Sequence, residues 1–413
     1  MSKAAVGVVG FDEALAVVQA HAAELAVPAT ESIPLLDSNN RVLAKAVLAD
    51  RDQPPFDRST RDGFAVRAAD FGGGPLKVSG QIRAGERWEG RALEPGAAIG
   101  IMTGAPIPEG ADAVVMVEHV ERADGVVRRL GERTIQSGEN IVRRGSEARA
   151  GEVVLPVGTL MEGAEIALAA ACGSPALTVF RRPQVAIVAT GDELVEIDAV
   201  PEPQQIRNSN GYGLASLVGR AGGEAVRLPI APDRRAELEE IMRSARRRGL
   251  MLLSGGVSMG EYDLVEEILE TLGAEFFFTG VRMQPGKPVV FGRLPAAGSF
   301  PAQFFFGLPG NPVSTQVTFH CFVEPLLRAM GGAAVQGPCF AQATLAEDIA
   351  GKPGLMRVLP ARLTTDRVRP EVRLVSWQGS GDLAANARAN CYAVLPPDKE
   401  RFAAGDVITI LLR

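Results

Sequence analysis

The length and composition of the chain exclude several classes of protein. It has 413 residues, more than one ordinary hydrophobic core accommodates, so about two to four domains are expected. Hydrophobic residues make up 46% of the chain and charged residues 22%, which is typical of a soluble globular protein. A net charge of −6 gives no electrostatic case for nucleic-acid binding, and no apolar run is long enough to span a membrane. Because the first residues also lack a secretory signal, a cytoplasmic location is expected.

The cysteine and histidine residues do not indicate a metal site or a catalytic site. The four cysteines lie far apart and form no CxxC pair, so buried free thiols are a better interpretation than a zinc site or a disulfide framework. The three histidines show no ligand spacing. Any catalysis is therefore expected from carboxylates, backbone amides and a few cations.

The chain begins with an amphipathic helix and continues into β structure. Apolar residues at helical spacing predict a helix from Phe11 to Leu25 with two acids in its first turn. Residues 33–49 have a strand-like pattern, and the charged loop at 53–70 is either functional or a solvated turn. Residues 76–154 contain short strands divided by glycines, which predict a small all-β domain. Thr103 and Gly104 end one of these strands and either hold a phosphate or form a turn.

From residue 163 helices and apolar strands alternate. Helices are predicted at 163–171, 212–221 and 236–248, the second of them after an N-cap region at Asn208-Ser209-Asn210, and buried strands at 185–189, 224–230 and 250–253. Such alternation indicates an open parallel sheet with helices on both faces. Ligands bind such sheets at the carboxyl ends of the strands, where the strand order reverses. Asp192, Glu193 and Asp233 follow two of these strands.

The segment from Leu250 to Asp263 is the strongest candidate for a ligand site. Its strand ends in Ser254-Gly255-Gly256, and glycines there allow a close backbone approach to an anion near a helix start. Strand–Gly–Gly–helix turns also occur without a ligand, so the spacing alone leaves both interpretations open. Asp263 would repel a bare phosphate, and several acids beside an anion cradle therefore favour Mg²⁺ between them.

Two proline–glycine clusters follow, each after a strand. In the first, Lys287 lies between Gly286 and Pro288 and supplies a point charge for an oxyanion. In the second, Gly310, Asn311 and Pro312 precede a helix whose first turn contains Ser314. A rigid loop without a ligand is the weaker interpretation. Residues 338–413 return to strands and turns, which predict a small β-barrel or sandwich with residues 378–382 as its candidate loop.

Seven motifs, taken together and in order, resemble the molybdopterin molybdenumtransferases, the MoeA-like family that includes the C-terminal domain of gephyrin. They are PPFDRSTRDGFAV, IMTGAPIPEGADAVV, VATGDEL, SGGVSMGEYD, MQPGKPVVFG, FGLPGNPVST and QGSGDLAANARAN. The resemblance implies an elongated, homodimeric subunit of four parts. These are an N-terminal region (1–48 and 149–182), an inserted small β-rich domain (49–148), a MogA-like α/β domain with an open parallel sheet (183–332) and a C-terminal β-barrel (333–413).

The resemblance also implies the reaction. The protein would insert molybdate into adenylylated molybdopterin and release AMP with Mg²⁺ required, and the adenylyltransferase that supplies this substrate is a possible partner. The candidate catalytic residues are Asp62, Glu193, Asp263 and Lys287, of which the three acids would hold Mg²⁺. The candidate substrate-binding residues are Thr103, Asp233, Ser254, Gly255, Gly256, Gly310, Asn311, Pro312, Ser314, Arg357 and Ser380.

The chain departs from the family pattern at the oxyanion site. Some members carry a further lysine before the PGKP segment, where this chain has Gln284, so the oxyanion contacts are less defined. Two alternatives remain open from the sequence. One is a binding or scaffold protein without turnover, and the other is an enzyme that takes tungstate, an oxyanion of nearly the same size and charge.

Overall fold

A computed structural model describes residues 7–256, 264–365 and 368–413 of the chain. Among these residues no helix combines the length and the apolar character that crossing a bilayer requires.

The first helix packs on the centre of the molecule. The chain begins with β1 (Val8–Val9), α1 (Phe11–Ala23), β2 (Thr30–Pro34) and β3 (Val47–Leu48). The helix begins at the predicted residue, where the carboxylate of Glu13 accepts a hydrogen bond from the Gly10 amide at 3.2 Å. Its buried face includes Phe11, whose ring centroid lies 5.6 Å from that of Phe322 in the central domain. The domain boundaries given above stay predictions.

The next segment forms the expected β-rich domain. Its strands are β4 (Arg58–Ser59), β5 (Gly63–Val66), β6 (Leu76–Ile82), β7 (Ala97–Ile101), β8 (Ala113–Met116), β9 (Val120–Ala123), β10 (Val126–Arg129) and β11 (Ile141–Val142). Six of them form one sheet in the order β8-β5-β7-β6-β10-β9. The two faces of this sheet bury separate apolar clusters, one around Phe64 and one around Ile99.

The chain then returns to the N-terminal region through β12 (Val153–Leu155), α2 (Gly163–Ala171) and β13 (Ala176–Phe180). Strand β12 pairs with β3, and β13 pairs antiparallel with β2. Helix α2 has the predicted bounds. Strands β4 and β11, at the two ends of the β domain, also pair with each other. The chain therefore leaves the N-terminal region and returns to it at neighbouring points, which confirms that the β domain is an insertion.

The central domain carries helices on both faces of a six-stranded sheet. Its elements are β14 (Gln184–Ala189), β15 (Leu194–Val195), β16 (Ile206–Arg207), α3 (Ser209–Arg220), β17 (Glu224–Arg227), α4 (Arg235–Ala245), β18 (Leu250–Ser254), α5 (Leu264–Thr271), β19 (Glu275–Phe278), β20 (Gly280–Val281), β21 (Met283–Gln284), β22 (Val290–Leu294), β23 (Gln303–Leu308), α6 (Pro312–Thr318) and α7 (Glu324–Met330). A π-helical turn, Phe319–Val323, joins α6 to α7.

The strand order of this sheet is β17-β14-β18-β23-β22-β19. The first four strands are parallel, as predicted, whereas β22 and β19 run antiparallel. A short connection from β22 to β23 forms a hairpin, and a hairpin requires antiparallel strands. Strand β17 lies on one side of β14 and β18 on the other, so the strand order reverses between β14 and β18.

The C-terminal segment closes into a barrel. Its elements are β24 (Phe340–Leu345), β25 (Ile349–Ala350), β26 (Met356–Thr365), β27 (Pro370–Leu374), α8 (Leu383–Arg388), β28 (Cys391–Leu395), β29 (Arg401–Phe402) and β30 (Val407–Leu412). The order β26-β27-β24-β30-β28 closes because β28 pairs with β26, which makes a five-stranded barrel. Strand β21 pairs with β26 and joins this barrel to the central domain.

Candidate functional site

Three turns meet at the carboxyl ends of the parallel strands. The Thr190 amide, after β14, donates a hydrogen bond to the Ser254 carbonyl at 3.1 Å, and the Gly255 amide, after β18, donates to the Leu308 carbonyl at 3.3 Å. The turns after β14, β18 and β23 are therefore directly adjacent. This edge is the switch point where ligands bind in open α/β sheets.

Glycine is required for this close approach. Gly255 has a φ of +93°, and a Cβ atom there would lie 2.5 Å from the carbonyl oxygen of Thr190. Gly256 has a φ of +63°, and its Cβ would lie 3.0 Å from the Thr190 methyl carbon. A Cβ at Gly310 would lie 3.7 Å from the Gly255 Cα, which places the third turn against the second.

Backbone amides at this edge are available for a ligand. Within the described residues, the N–H groups of Gly256, Gly310 and Asn311 donate to no protein acceptor. The amide of Val313, in the first turn of α6, donates instead to the carbonyl of Ser380 at 3.0 Å. Free amides beside a helix start attract an anion. Ser380 thus brings the barrel loop to the start of α6 at the sheet edge.

The hydroxyl group of Thr315, near the edge, has structural partners. Thr315 donates from Oγ1 to the carbonyls of Pro309 at 2.5 Å and Asn311 at 3.1 Å, and this holds the loop rigid. Ser314 is buried in the same turn of α6. Anion binding by Pro312 and by the Ser314 hydroxyl stays a prediction.

Three exposed carboxylates follow the strands. The Asp192 carboxylate accepts a hydrogen bond from the Asp233 amide at 3.2 Å, and the Asp233 carboxylate accepts one from the Thr190 hydroxyl at 2.9 Å. The Glu193 carboxylate folds over Gly191, where an added Cβ would lie 2.4 Å from its Oε2. Within the described residues, the Glu193 side chain has no hydrogen-bond or ion-pair partner.

Asn210 is a residue whose role the sequence did not reveal. Its side-chain amide donates to the Ser254 hydroxyl at 2.8 Å and to the Gly310 carbonyl at 2.7 Å. One side chain in the first turn of α3 therefore ties together the turns after β18 and β23. The sequence indicated only a helix cap in this segment, and Asn208 is that cap, since its side chain accepts from the Gly211 amide.

Lys287 and Arg357 lie on two segments that are joined by the pairing of β21 with β26. Gly286 packs against α6, since a Cβ there would lie 2.5 Å from the Thr318 methyl carbon, and Lys287 is exposed next to it. Gln284 pairs with Arg357 in the register of β21 and β26. The Arg357 guanidinium donates from Nη1 to the Ala350 carbonyl at 2.6 Å, while burial lowers the pKa of this guanidinium.

Asp62 and Thr103 form a separate pair in the inserted β domain. The Asp62 carboxylate accepts hydrogen bonds from the amide of Thr103 at 2.7 Å and from its hydroxyl at 2.8 Å. These bonds favour the ionised form and lower the pKa of Asp62, so this exposed carboxylate is charged at neutral pH. No hydrogen bond or ion pair among the described residues links this pair to the sheet edge.

The donor set at the sheet edge suits Mg²⁺. Its side chains offer oxygen atoms only, the ligands that Mg²⁺ prefers. Within the described residues no three acids, histidines or cysteines cluster closely enough to hold a metal by themselves. Mg²⁺ commonly uses one or two carboxylates plus substrate phosphates, so a larger cluster is not needed. Asp263, the third predicted ligand, lies outside the described residues.

Models of known families cover most of the chain. Residues 9–173 match the MoeA N-terminal region (domain I and II), and residues 342–412 match the MoeA C-terminal region (domain IV). Between them, residues 186–329 match the family described as "Probable molybdopterin binding domain".

Whole-chain relatives agree with these matches. The molybdopterin molybdenumtransferase of Nostoc sp. is 36% identical over 92% of this chain and 88% of its own length. The Haemophilus influenzae protein of the same name is 34% identical over 92% of this chain and 93% of its own length. The crystal structure of the molybdopterin biosynthesis MoeA protein from Pyrococcus horikoshii superimposes with a TM-score of 0.75 at 29% identity, over 98% of this chain and 100% of that one.

Proposed function

Because the chain belongs to the MoeA family of molybdopterin molybdenumtransferases, we propose that it inserts molybdate into adenylylated molybdopterin and releases AMP. The observation that carries the proposal is the set of amides without a protein acceptor at the switch point, where the turns after β14, β18 and β23 lie next to one another and the barrel loop at Ser380 contacts the start of α6. A phosphate-rich substrate and an oxyanion both require such backbone donors.

The chain's own residues bind and orient the two substrates. The free amides of Gly256, Gly310 and Asn311 hold phosphate oxygens of the substrate, while Lys287 and Arg357 provide positive charge for molybdate. Since amides and turns are fixed before the substrate arrives, they stabilise the negative charge that develops when the phosphoanhydride is cleaved.

Acids beside the phosphates require a counter-charge. Glu193 and Asp233 would hold Mg²⁺ at the sheet edge, with Asp263 as the further ligand predicted from the sequence. When bound, the metal neutralises charge on the phosphate oxygens. Asp192 positions Asp233 through the hydrogen bond from the Asp233 amide, and Asp233 is in turn oriented by Thr190.

A single assay tests the reaction. The protein is mixed with adenylylated molybdopterin, Mg²⁺ and molybdate, and AMP is quantified over time. We expect AMP release that requires molybdate and stops when EDTA removes the metal. Tight nucleotide binding without AMP release would instead identify a binding or scaffold protein. Faster release with tungstate than with molybdate would identify tungstate as the preferred oxyanion.

We also propose that the protein acts as a homodimer in the cytoplasm and receives its substrate from the adenylyltransferase that makes it. The dimer would allow Asp62 and Thr103 of one subunit to complete the cleft of the other, since the described residues show no link between this pair and the sheet edge of the same chain. Sedimentation analysis measures the subunit number directly.

Asn210→Ala is expected to reduce kcat/KM about tenfold, mainly through a higher KM for the pterin nucleotide. The substitution removes both hydrogen bonds that hold the turns after β18 and β23 together, each worth about 1 kcal/mol. Ser216→Ala, at an exposed position of the same helix, is the control for general effects on α3 and should retain wild-type kinetics. An unchanged KM in Asn210→Ala would show that the two turns keep their positions without this side chain.

A further inference from the structure

A large cavity lies away from the sheet edge, where three parts of the chain meet. Its volume is about 640 Å³, within the range of small-molecule sites. Leu160 and Phe180 of the N-terminal region, Pro325 of α7 and the connector at 333–340 form its apolar walls. None of the described candidate residues of the sheet edge lines it.

The charged groups of this cavity carry an excess of positive charge. Four arginines line it against one acid, Glu324. Both oxygens of Glu324 are already used, since Oε1 accepts from Arg328 at 2.7 Å and Oε2 is hydrogen-bonded to His320 at 2.8 Å. Arg41 is also satisfied, because it pairs with Glu31 outside the cavity lining.

Arg182 is the unsatisfied group. It lies half-buried where the chain crosses from β13 to β14, and within the described residues its guanidinium has no hydrogen-bond or ion-pair partner. Burial, together with the nearby charge of Arg41, lowers the pKa of Arg182, although the carboxylates of Glu31 and Glu224 act on it in the opposite direction from beyond ion-pair distance. The side chain of its neighbour Arg181 donates from Nε to the Thr30 carbonyl at 3.3 Å and, among the described residues, to no other acceptor. A half-buried guanidinium without a protein hydrogen-bond partner leaves its N–H groups available to an anionic ligand.

We propose that the cavity binds a small anionic molecule, with one phosphate or carboxylate group at Arg182 and an apolar body against Leu160, Phe180 and Pro325. The planar guanidinium forms paired hydrogen bonds to either group. Because the walls come from the N-terminal region, the central domain and the connector, a bound molecule contacts all three. The inference does not depend on the reaction proposed above.

AMP is a suitable probe, since it combines one phosphate with a flat ring system. Calorimetric titration of the wild-type protein is expected to show a cavity site that Arg182→Gln weakens about tenfold or more, the usual effect of losing a charged hydrogen bond. Arg182→Lys, which keeps the charge, should retain part of the affinity. Lys287→Gln should leave the cavity site intact, and any weaker AMP binding in this variant should be confined to the sheet edge. Adenosine, which lacks the phosphate, should not bind the cavity.

Three results would overturn the inference. The first is AMP binding to Arg182→Gln with wild-type affinity and stoichiometry, and the second is loss of all AMP binding in Lys287→Gln. The third is dissociation of Arg182→Gln into monomers in the ultracentrifuge, which would make the cavity part of a subunit interface. The protein could bind AMP in the cavity and yet release no AMP from adenylylated molybdopterin. In that case the proposed function fails while this inference stands.

Discussion

Glu193→Gln is expected to fold normally and to release AMP about two to three orders of magnitude more slowly than the wild type, because the charge that would hold Mg²⁺ is lost. The side chain is exposed and, within the described residues, makes no hydrogen bond or ion pair, so its charge contributes little to folding. Single-turnover AMP release and thermal unfolding separate the two properties. Asp263→Asn is expected to have a similar effect, by the role predicted from the sequence.

The matched control is Asp198→Asn. Asp198 is an exposed carboxylate five residues further along the same segment, and among the described residues its side chain likewise has no partner. If any negative charge near the cleft could support AMP release, Glu193→Gln and Asp198→Asn would lose activity equally. We expect Asp198→Asn to retain the wild-type rate. A near wild-type rate in Glu193→Gln would remove the metal-binding role from this residue.

Glu193→Gln, combined with Asp62→Asn, also tests whether the cleft is shared between subunits. Asp62→Asn alone is expected to be inactive, as is Glu193→Gln. If Asp62 acts in the partner's cleft, a mixed dimer of the two variants contains one cleft with both defects and one intact cleft. Co-expression should therefore restore about a quarter of the wild-type activity, since half of the randomly formed dimers are mixed. Complete inactivity of the mixture would place both acids in the cleft of one chain.

The sequence predicted the elements of the central domain well, because buried strands and amphipathic helices have clear periodicity. The strand at Leu250–Ser254 and the helix cap at Asn208 were both found where expected. The antiparallel direction of β22 and β19 was missed. An apolar strand pattern is the same in either direction, and only the length of the connection between β22 and β23 indicates the hairpin.

The candidate site was predictable only in part. Residues followed by glycine at strand ends, such as Ser254, could be located from the pattern, and the structure places them together with Gly310 and Ser380. The role of Asn210 could not be predicted, because its two hydrogen bonds reach 44 and 100 residues along the chain. Helix α8 was missed as well, since Asp382 caps it inside a glycine-rich segment typical of a loop.

Gly255→Ala is expected to abolish measurable turnover, although it adds only one methyl group. Two effects combine at this position. The φ of +93° disfavours any residue with a side chain, and the added Cβ would lie 2.5 Å from the Thr190 carbonyl oxygen, a distance that real Cβ atoms do not reach. The turn after β18 must therefore move away from β14, and this displaces the Gly256 amide proposed to bind the substrate.

The control variant Gly405→Ala measures the effect of backbone strain without a steric contact. Gly405 lies in the barrel with the same φ of +93°, but an added Cβ there would meet no atom within 4 Å. We expect this control to lose about 1 kcal/mol of the free energy of unfolding and to keep its rate of AMP release. Gly255→Ala should lose more stability than the control and, in addition, its activity. Equal behaviour of the two variants would show that strain alone acts at Gly255, and that the contact with Thr190 does not position the amides that bind the substrate.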